Sequence, residues 1–226
     1  MSQFLRNILD WSEVWAPLIP LVCYLFNRHQ PGYMKPVIAY FLIAFFVNLA
    51  GDIISDYKSW IPFKVTSNNP LYNVHSIIRF TCFSYFFILL KQPGYTRIST
   101  WMPVIYLLII VVNFGFVENF GNPDHLSGNL LSAEAYLLLI SCMVYYLNKL
   151  KNEEDDIAGG PDFWVVTGLS IYVVVNFFVF LFYVPMIKFD SQLANRIWDV
   201  HNIGYIILCI FSTRAIYESA RHQYAI

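Results

Sequence analysis

The chain has 226 residues, of which 58% are hydrophobic, 19% aromatic and only 13% charged, and its formal net charge is −1. A soluble domain carries about 25% charged residues, so this composition excludes an ordinary water-soluble protein, and the near-zero charge leaves no basic footprint for nucleic acid. The partner it implies is a lipid bilayer.

Seven apolar stretches recur at the ~20 residues needed to cross a hydrocarbon core, at about 11–27, 36–55, 71–90, 101–118, 129–148, 163–184 and 197–213. The expected fold class is therefore all-α, a polytopic membrane protein with seven transmembrane helices, and residues 1–226 form one domain. The first stretch follows Asp10 and Glu13 and has no small-residue cleavage site, so it reads as a retained helix rather than a signal peptide. Pro17 and Pro20 loosen its backbone hydrogen bonding. The second stretch carries Asn48 and then Asp52 near its outer end. The third opens "YNVHSIIRF" from Tyr72, which holds Asn73, His75 and Arg79. The fourth carries Asn113, the fifth Glu134 and the sixth Asn176; the seventh opens "WDVHNIGYI" from Trp198, with Asp199, His201 and Asn202. Connectors such as "NRHQPGYMK" and "KQPGYTR" are rich in helix breakers. Cys23, Cys82, Cys142 and Cys209 all fall inside the stretches without metal-type spacing and read as packing residues.

The openings of the third and seventh stretches echo each other: an aromatic, Asn or Asp, Val, His, Ser or Asn, Ile. The first stretch ends "YLFNR" and the fifth "YYLNK", while the second carries "FFVN" to Asn48 and the sixth "VVVN" to Asn176. Three matches in the same order point to a 3+1+3 parallel internal repeat: repeat one over about 11–91, a linker helix over about 101–118 and repeat two over about 129–218. Parallel repeats occur in transporters that place their site between the repeats.

An ionisable side chain inside a span costs roughly 2.5–3.5 kcal/mol on insertion scales, so such residues turn inward and mark function. Here they gather in the outer half of the bundle. Arg79 lies about 12 Å along its helix from Leu71, at ~1.5 Å per residue, and needs a carboxylate; Asp52, Glu134 and Asp199 are the candidates. The expected ligand-binding set is Asp52, Asn73, His75, Arg79, Glu134, Asp199, His201 and Asn202. With neutral histidines it carries three negative charges against one positive, which favours a cation or proton. The repeat places a histidine in each half, so His75 and His201, joined by Asp199, form a candidate set for a divalent metal such as zinc. Cross-helix hydrogen bonding that fixes packing is the structural alternative.

Lys and Arg number five on the side of the N-terminus (Arg6, Lys58, Lys64, Lys188, Arg196) and eight on the other (Arg28, Lys35, Lys91, Arg97, Lys149, Lys151, Arg214, Arg221). The positive-inside rule then places the chain in the cytoplasmic (inner) membrane with its N-terminus outside and its C-terminus cytoplasmic. The 3+1+3 plan is similar in architecture to the SWEET and other PQ-loop transporters, although the chain has no Pro-Gln dipeptide. A rhodopsin's Schiff-base lysine is missing from 197–213, and the HxxxH pair of seven-helix zinc amidases is replaced by His201 and Tyr205. The openings of the third and seventh stretches and the aromatic-rich spans resemble those of uncharacterised small seven-helix membrane proteins of the Bacteroidota, a resemblance that implies the fold and no activity. The leading expectation is a small transporter with an outward-facing polar pocket for a solute or cation. The alternatives are a receptor-like sensor acting through a signalling partner or a second copy of itself, and a membrane-embedded metal-dependent hydrolase.

Overall fold

The computed structural model describes residues 3–56, 67–92, 96–118, 126–151 and 160–224, and among them it is all helical. Lys58, Lys64, Trp60 and most of the acidic connector "KNEEDDIAGG" lie outside the described residues.

The N-terminal segment is a broken helix. α1 (Gln3–Asp10) and α2 (Ser12–Trp15) are followed by α3 (Leu18–Phe26). Pro17 stands just before α3 and Pro20 in its first turn, where the missing N–H groups would have had no intrahelical partner. The indole Nε1–H of Trp15 donates to the Ile8 carbonyl at 2.8 Å and ties α1 back onto α2. A 3-10 turn over Gly32–Met34 leads into α4 (Lys35–Asp56), then come α5 (Asn69–Leu89) and α6 (Thr96–Val112). A π-helical turn, Asn113–Val117, ends α6. α7 (Gly128–Lys151), α8 (Pro161–Phe189) and α9 (Ser191–Tyr224) complete the bundle.

Among the described residues five segments are long and apolar enough to cross a membrane: Gly32–Asp56, Thr96–Val117, Gly128–Lys151, Pro161–Tyr183 and Gln192–Arg221. Two of the seven expected spans stand apart from these for physical reasons. The first is divided around Pro17, leaving a shorter apolar run over Ser12–Phe26. The third, α5, has 21 residues, but it buries Asn73, His75, Ser76 and Arg79 on its inner face, and these polar groups lower its average hydropathy. The last two helices are longer than expected. They meet at Asp190, whose Oδ1 accepts from the N–H groups of Gln192 (2.9 Å) and Leu193 (3.1 Å) and so caps α9.

The helices form a ring in which α3 packs on α4, α4 on α5, α5 on α7, α7 on α8, α8 on α9 and α9 on α3, while α6 leans on the outside against α5 and α7. Tyr40, Phe41, Phe83, Leu138, Leu169 and Leu208 fill the centre. Leu107, Leu108, Val111 and Val112 of α6 are exposed, the distribution expected where hydrocarbon replaces water as the solvent.

The α8–α9 contact depends on Gly168: a Cβ placed there would lie 2.6 Å from Phe211 Cβ and 3.5 Å from Leu208 Cα. Small residues of this kind let membrane helices approach closely. Gly168→Ala is expected to lower stability by about 1–3 kcal/mol through overpacking. Gly32→Ala, which meets nothing within 4 Å, should stay within about 0.5 kcal/mol. Thermal unfolding in detergent checks both, and equal midpoints would sink the close-approach account.

Candidate functional site

The Arg79 guanidinium is buried on the inner face of α5. It forms a two-pronged pair with Glu134 of α7: Nε meets Oε1, and the terminal nitrogen donates to Oε2 at 2.8 Å. Arg79 is 3% and Glu134 1% exposed. Ser76, one turn before Arg79, donates to Glu134 Oε2 at 2.5 Å and shares a 3.1 Å contact with the Tyr106 hydroxyl. The guanidinium also lies 5.1 Å from the centroid of the Tyr172 ring. Of the three carboxylates expected to compete for Arg79, Glu134 is the partner.

Around this pair, aromatic groups form a closed circuit. Tyr40 stacks on His75, with centroids 5.7 Å apart. The hydroxyl of Tyr40 neighbours that of Tyr205 without meeting hydrogen-bond geometry. The Tyr205 ring lies 6.0 Å from Tyr172, which covers Arg79. The three tyrosine hydroxyls and His75 Nε2 are buried and have no hydrogen-bond partner.

One level outward, His201 and Glu13 meet. His201 Nε2 lies 3.1 Å from Glu13 Oε1, and its Nδ1 contacts Asn176 Oδ1. The Asn176 amide nitrogen donates to the Tyr172 carbonyl at 2.8 Å, which fixes the orientation of that side chain. Tyr72 donates to Glu13 Oε2 at 3.1 Å. Asn48 donates to the Glu13 backbone carbonyl at 2.9 Å, satisfying a group exposed by the helix break. Glu13 and His201 are 3% and 2% exposed, and Trp198 stacks on the imidazole at 4.7 Å.

Above Glu13 opens a cavity of about 300 Å³. Among the described residues its carboxylates are Asp10, Glu13, Asp52, Asp56 and Asp199, and its one cationic residue is Arg6. Trp11, Tyr72, Tyr183 and Trp198 supply aromatic surface. A second cavity, of about 590 Å³, shares Arg6, Asn195 and Asp199 with it and adds Arg196. Asp10 lies before the spanning stretches, and burial together with the charge of Asp199 raises its carboxyl above the usual carboxylate range.

The eight residues expected to form one pocket are thus divided. Asp52 and Asp199 line the open cavity, and Asp52 Oδ2 has no partner. His75, Arg79, Glu134 and His201 lie beneath it. Asn202 donates to the Leu9 carbonyl at 3.1 Å and holds α1 against α9. Asn73 is turned to the start of α7, where its Oδ1 accepts from the Ser127 N–H at 3.0 Å. That region is a separate network in which Glu118 accepts from Asn113, Ser127 and Asn129. As for the expected zinc set, among the described residues no three His, Cys, Asp or Glu side chains gather as a metal site. His201 has committed both ring nitrogens, His75 is stacked on Tyr40, and Asp199 faces the outer cavity. The residues therefore do not fit a divalent metal.

Sequence reasoning missed Glu13, Tyr40 and Tyr172. Glu13 had a signal: it is an ionisable residue inside the first apolar stretch, about 11–27. The tyrosines had none, because a buried aromatic residue in an aromatic-rich span looks like any other packing group.

Removing one member of a buried pair costs about 3–5 kcal/mol, whereas replacing both with apolar groups is far better tolerated. Arg79→Met is therefore expected to unfold at markedly lower temperature than wild type. The double variant Arg79→Met/Glu134→Leu should recover most of that loss, as read by thermal unfolding in detergent. A double variant no more stable than Arg79→Met would contradict the pairing. The chain matches no protein-family model, no curated protein and no solved structure.

Proposed function

We propose that the protein is a small transporter of the cytoplasmic membrane, with seven spans, its N-terminus outside, and an outward-facing cavity that takes a small organic cation. The observation that carries this reading is the cavity lined, among the described residues, by five carboxylates against one arginine, with four aromatic residues in the same wall. One-signed charge in a cleft with low-dielectric walls concentrates the opposite ion. Aromatic faces near carboxylates suit an ammonium group, which gains from the ring quadrupole where its hydration is stripped.

The first span is assembled from the broken run Ser12–Phe26, and the third is α5, whose polar face the ring shields from lipid. The packing supports the 3+1+3 repeat. Exchanging α3, α4 and α5 with α7, α8 and α9 maps the contact of α3 with α4 onto that of α7 with α8. The same exchange maps α4–α5 onto α8–α9, and α3–α9 onto α7–α5. The linker helix α6 leans on α5 and α7, one helix from each half. Asn48 and Asn176, the echoed pair, are both buried, and each bonds to the Glu13–His201 level.

The test is saturable binding and proteoliposome uptake of tetramethylammonium and choline beside neutral and anionic solutes of similar size. The cations should bind and enter selectively. Asp52→Asn and Asp199→Asn should each weaken cation binding by about three- to fivefold, the magnitude of a partly solvated charge pair. Equal uptake of neutral solutes, or no saturable cation binding, would overturn the reading.

A further inference from the structure

We infer that Glu13 and His201 hold one proton between them and that a cation bound in the outer cavity displaces it, so the protein exchanges a proton for a cation at a single carboxylate. The inference rests on the cation reading of the cavity and adds to it the ion that moves in return.

The hydrogen-bond geometry carries the argument. Asn176 donates through its amide nitrogen to the Tyr172 carbonyl, so the atom it turns to His201 is its oxygen, an acceptor. His201 Nδ1 must then carry a hydrogen. The other nitrogen, Nε2, faces Glu13 Oε1 at 3.1 Å. Two lone pairs do not hold that contact, so one proton lies in it. It sits either on Nε2, giving an imidazolium beside a carboxylate, or on Oε1, giving a carboxylic acid beside a neutral imidazole. The pair with its proton has the same net charge in both arrangements. Loss of the proton leaves one uncompensated negative charge and two opposed lone pairs.

Glu13 also lines the outer cavity, so a cation there can supply the missing positive charge. The charge balance closes: one monocation arrives and one proton leaves to water through the cavity. The groups facing Glu13 are Arg6 and Asp10 from α1, Asp52 and Asp56 from α4, Tyr72 from α5, Tyr183 from α8, and Asp199 with His201 from α9. Among them only His201 contacts the Glu13 carboxylate with a nitrogen. The Arg79–Glu134 pair below has internal compensation and does not supply the counter-charge.

The experiment is calorimetric titration of the purified full-length protein with tetramethylammonium chloride, in two buffers of different ionisation enthalpy, at several pH values. Wild type should release up to about one proton per cation, and the dissociation constant should fall as the pH is raised, by at most about tenfold per pH unit, as one-proton linkage requires. His201→Gln should bind the cation with release near zero and little pH dependence. Should that variant fail to fold, Glu13→Gln carries the test, with weakened binding and no release. Cation binding by wild type without proton release, or unchanged release from the folded variant, overturns the exchange and leaves the cation reading standing. No binding at any pH overturns both.

Discussion

The Arg79–Glu134 pair is the constraint around which the bundle is organised. A guanidinium this deep in an apolar setting is tolerated only if its charge and its donors are all answered. Glu134 answers two donors, Ser76 orients the carboxylate and Tyr172 covers the cation's face. These partners come from α5, α7 and α8, so placing one guanidinium fixes the relative rotation of three helices. In sequence, Arg79 and Glu134 are 55 residues apart and belong to opposite halves of the proposed repeat. The pair therefore closes the ring where the two halves meet between α5 and α7.

Charge is graded along the bundle. At the bottom Arg79 and Glu134 cancel. At the next level Glu13 and His201 face each other at 3.1 Å. At the mouth the carboxylates exceed the arginines. On the proposed reading, a cation entering this cavity would meet one-signed charge first and the Glu13–His201 level next. The unpartnered hydroxyls of Tyr40, Tyr172 and Tyr205 lie beyond that level, around the internally compensated Arg79–Glu134 pair. The chain thus separates a place that attracts charge from a place rich in neutral hydrogen-bonding groups, and the floor between them is made of two side chains.

Much of the fold was legible because lipid imposes simple rules. Apolar stretches near 20 residues marked most of the helices, and the paired "VH" openings marked two inner faces that both carry buried histidine. Arg79 announced its need for a carboxylate, but the sequence offered three, and only the ring packing selects Glu134. The metal expectation drew on the same kind of signal. A histidine on an inner face has the same appearance whether its nitrogens are free or committed, and the commitments of His201 to Asn176 and Glu13 come from residues 25 and 188 positions away. Asn73 was grouped with the site by its neighbours in sequence, yet a shift of two residues along a helix turns a side chain by about 200°, and it faces the α6–α7 network instead. The ends of α8 and α9 were underestimated because hydropathy falls where the helices leave the apolar layer, while their backbone hydrogen bonding continues to the Asp190 cap.

The two members of the floor are held with unequal firmness. His201 belongs to a helix of 34 residues packed along its length against α8. Glu13 rides on a helix of four residues, set off by breaks at Trp11 and at Ala16–Pro17. A single helical turn has almost no cooperative stability of its own, so α2 keeps its place through a few outside attachments, such as the Asn48 amide on its carbonyl and the Trp15 indole reaching back to Ile8. On the proposed exchange, loss of the shared proton would therefore act on the member of the floor with the fewer restraints, α2, and on the carboxylate it carries.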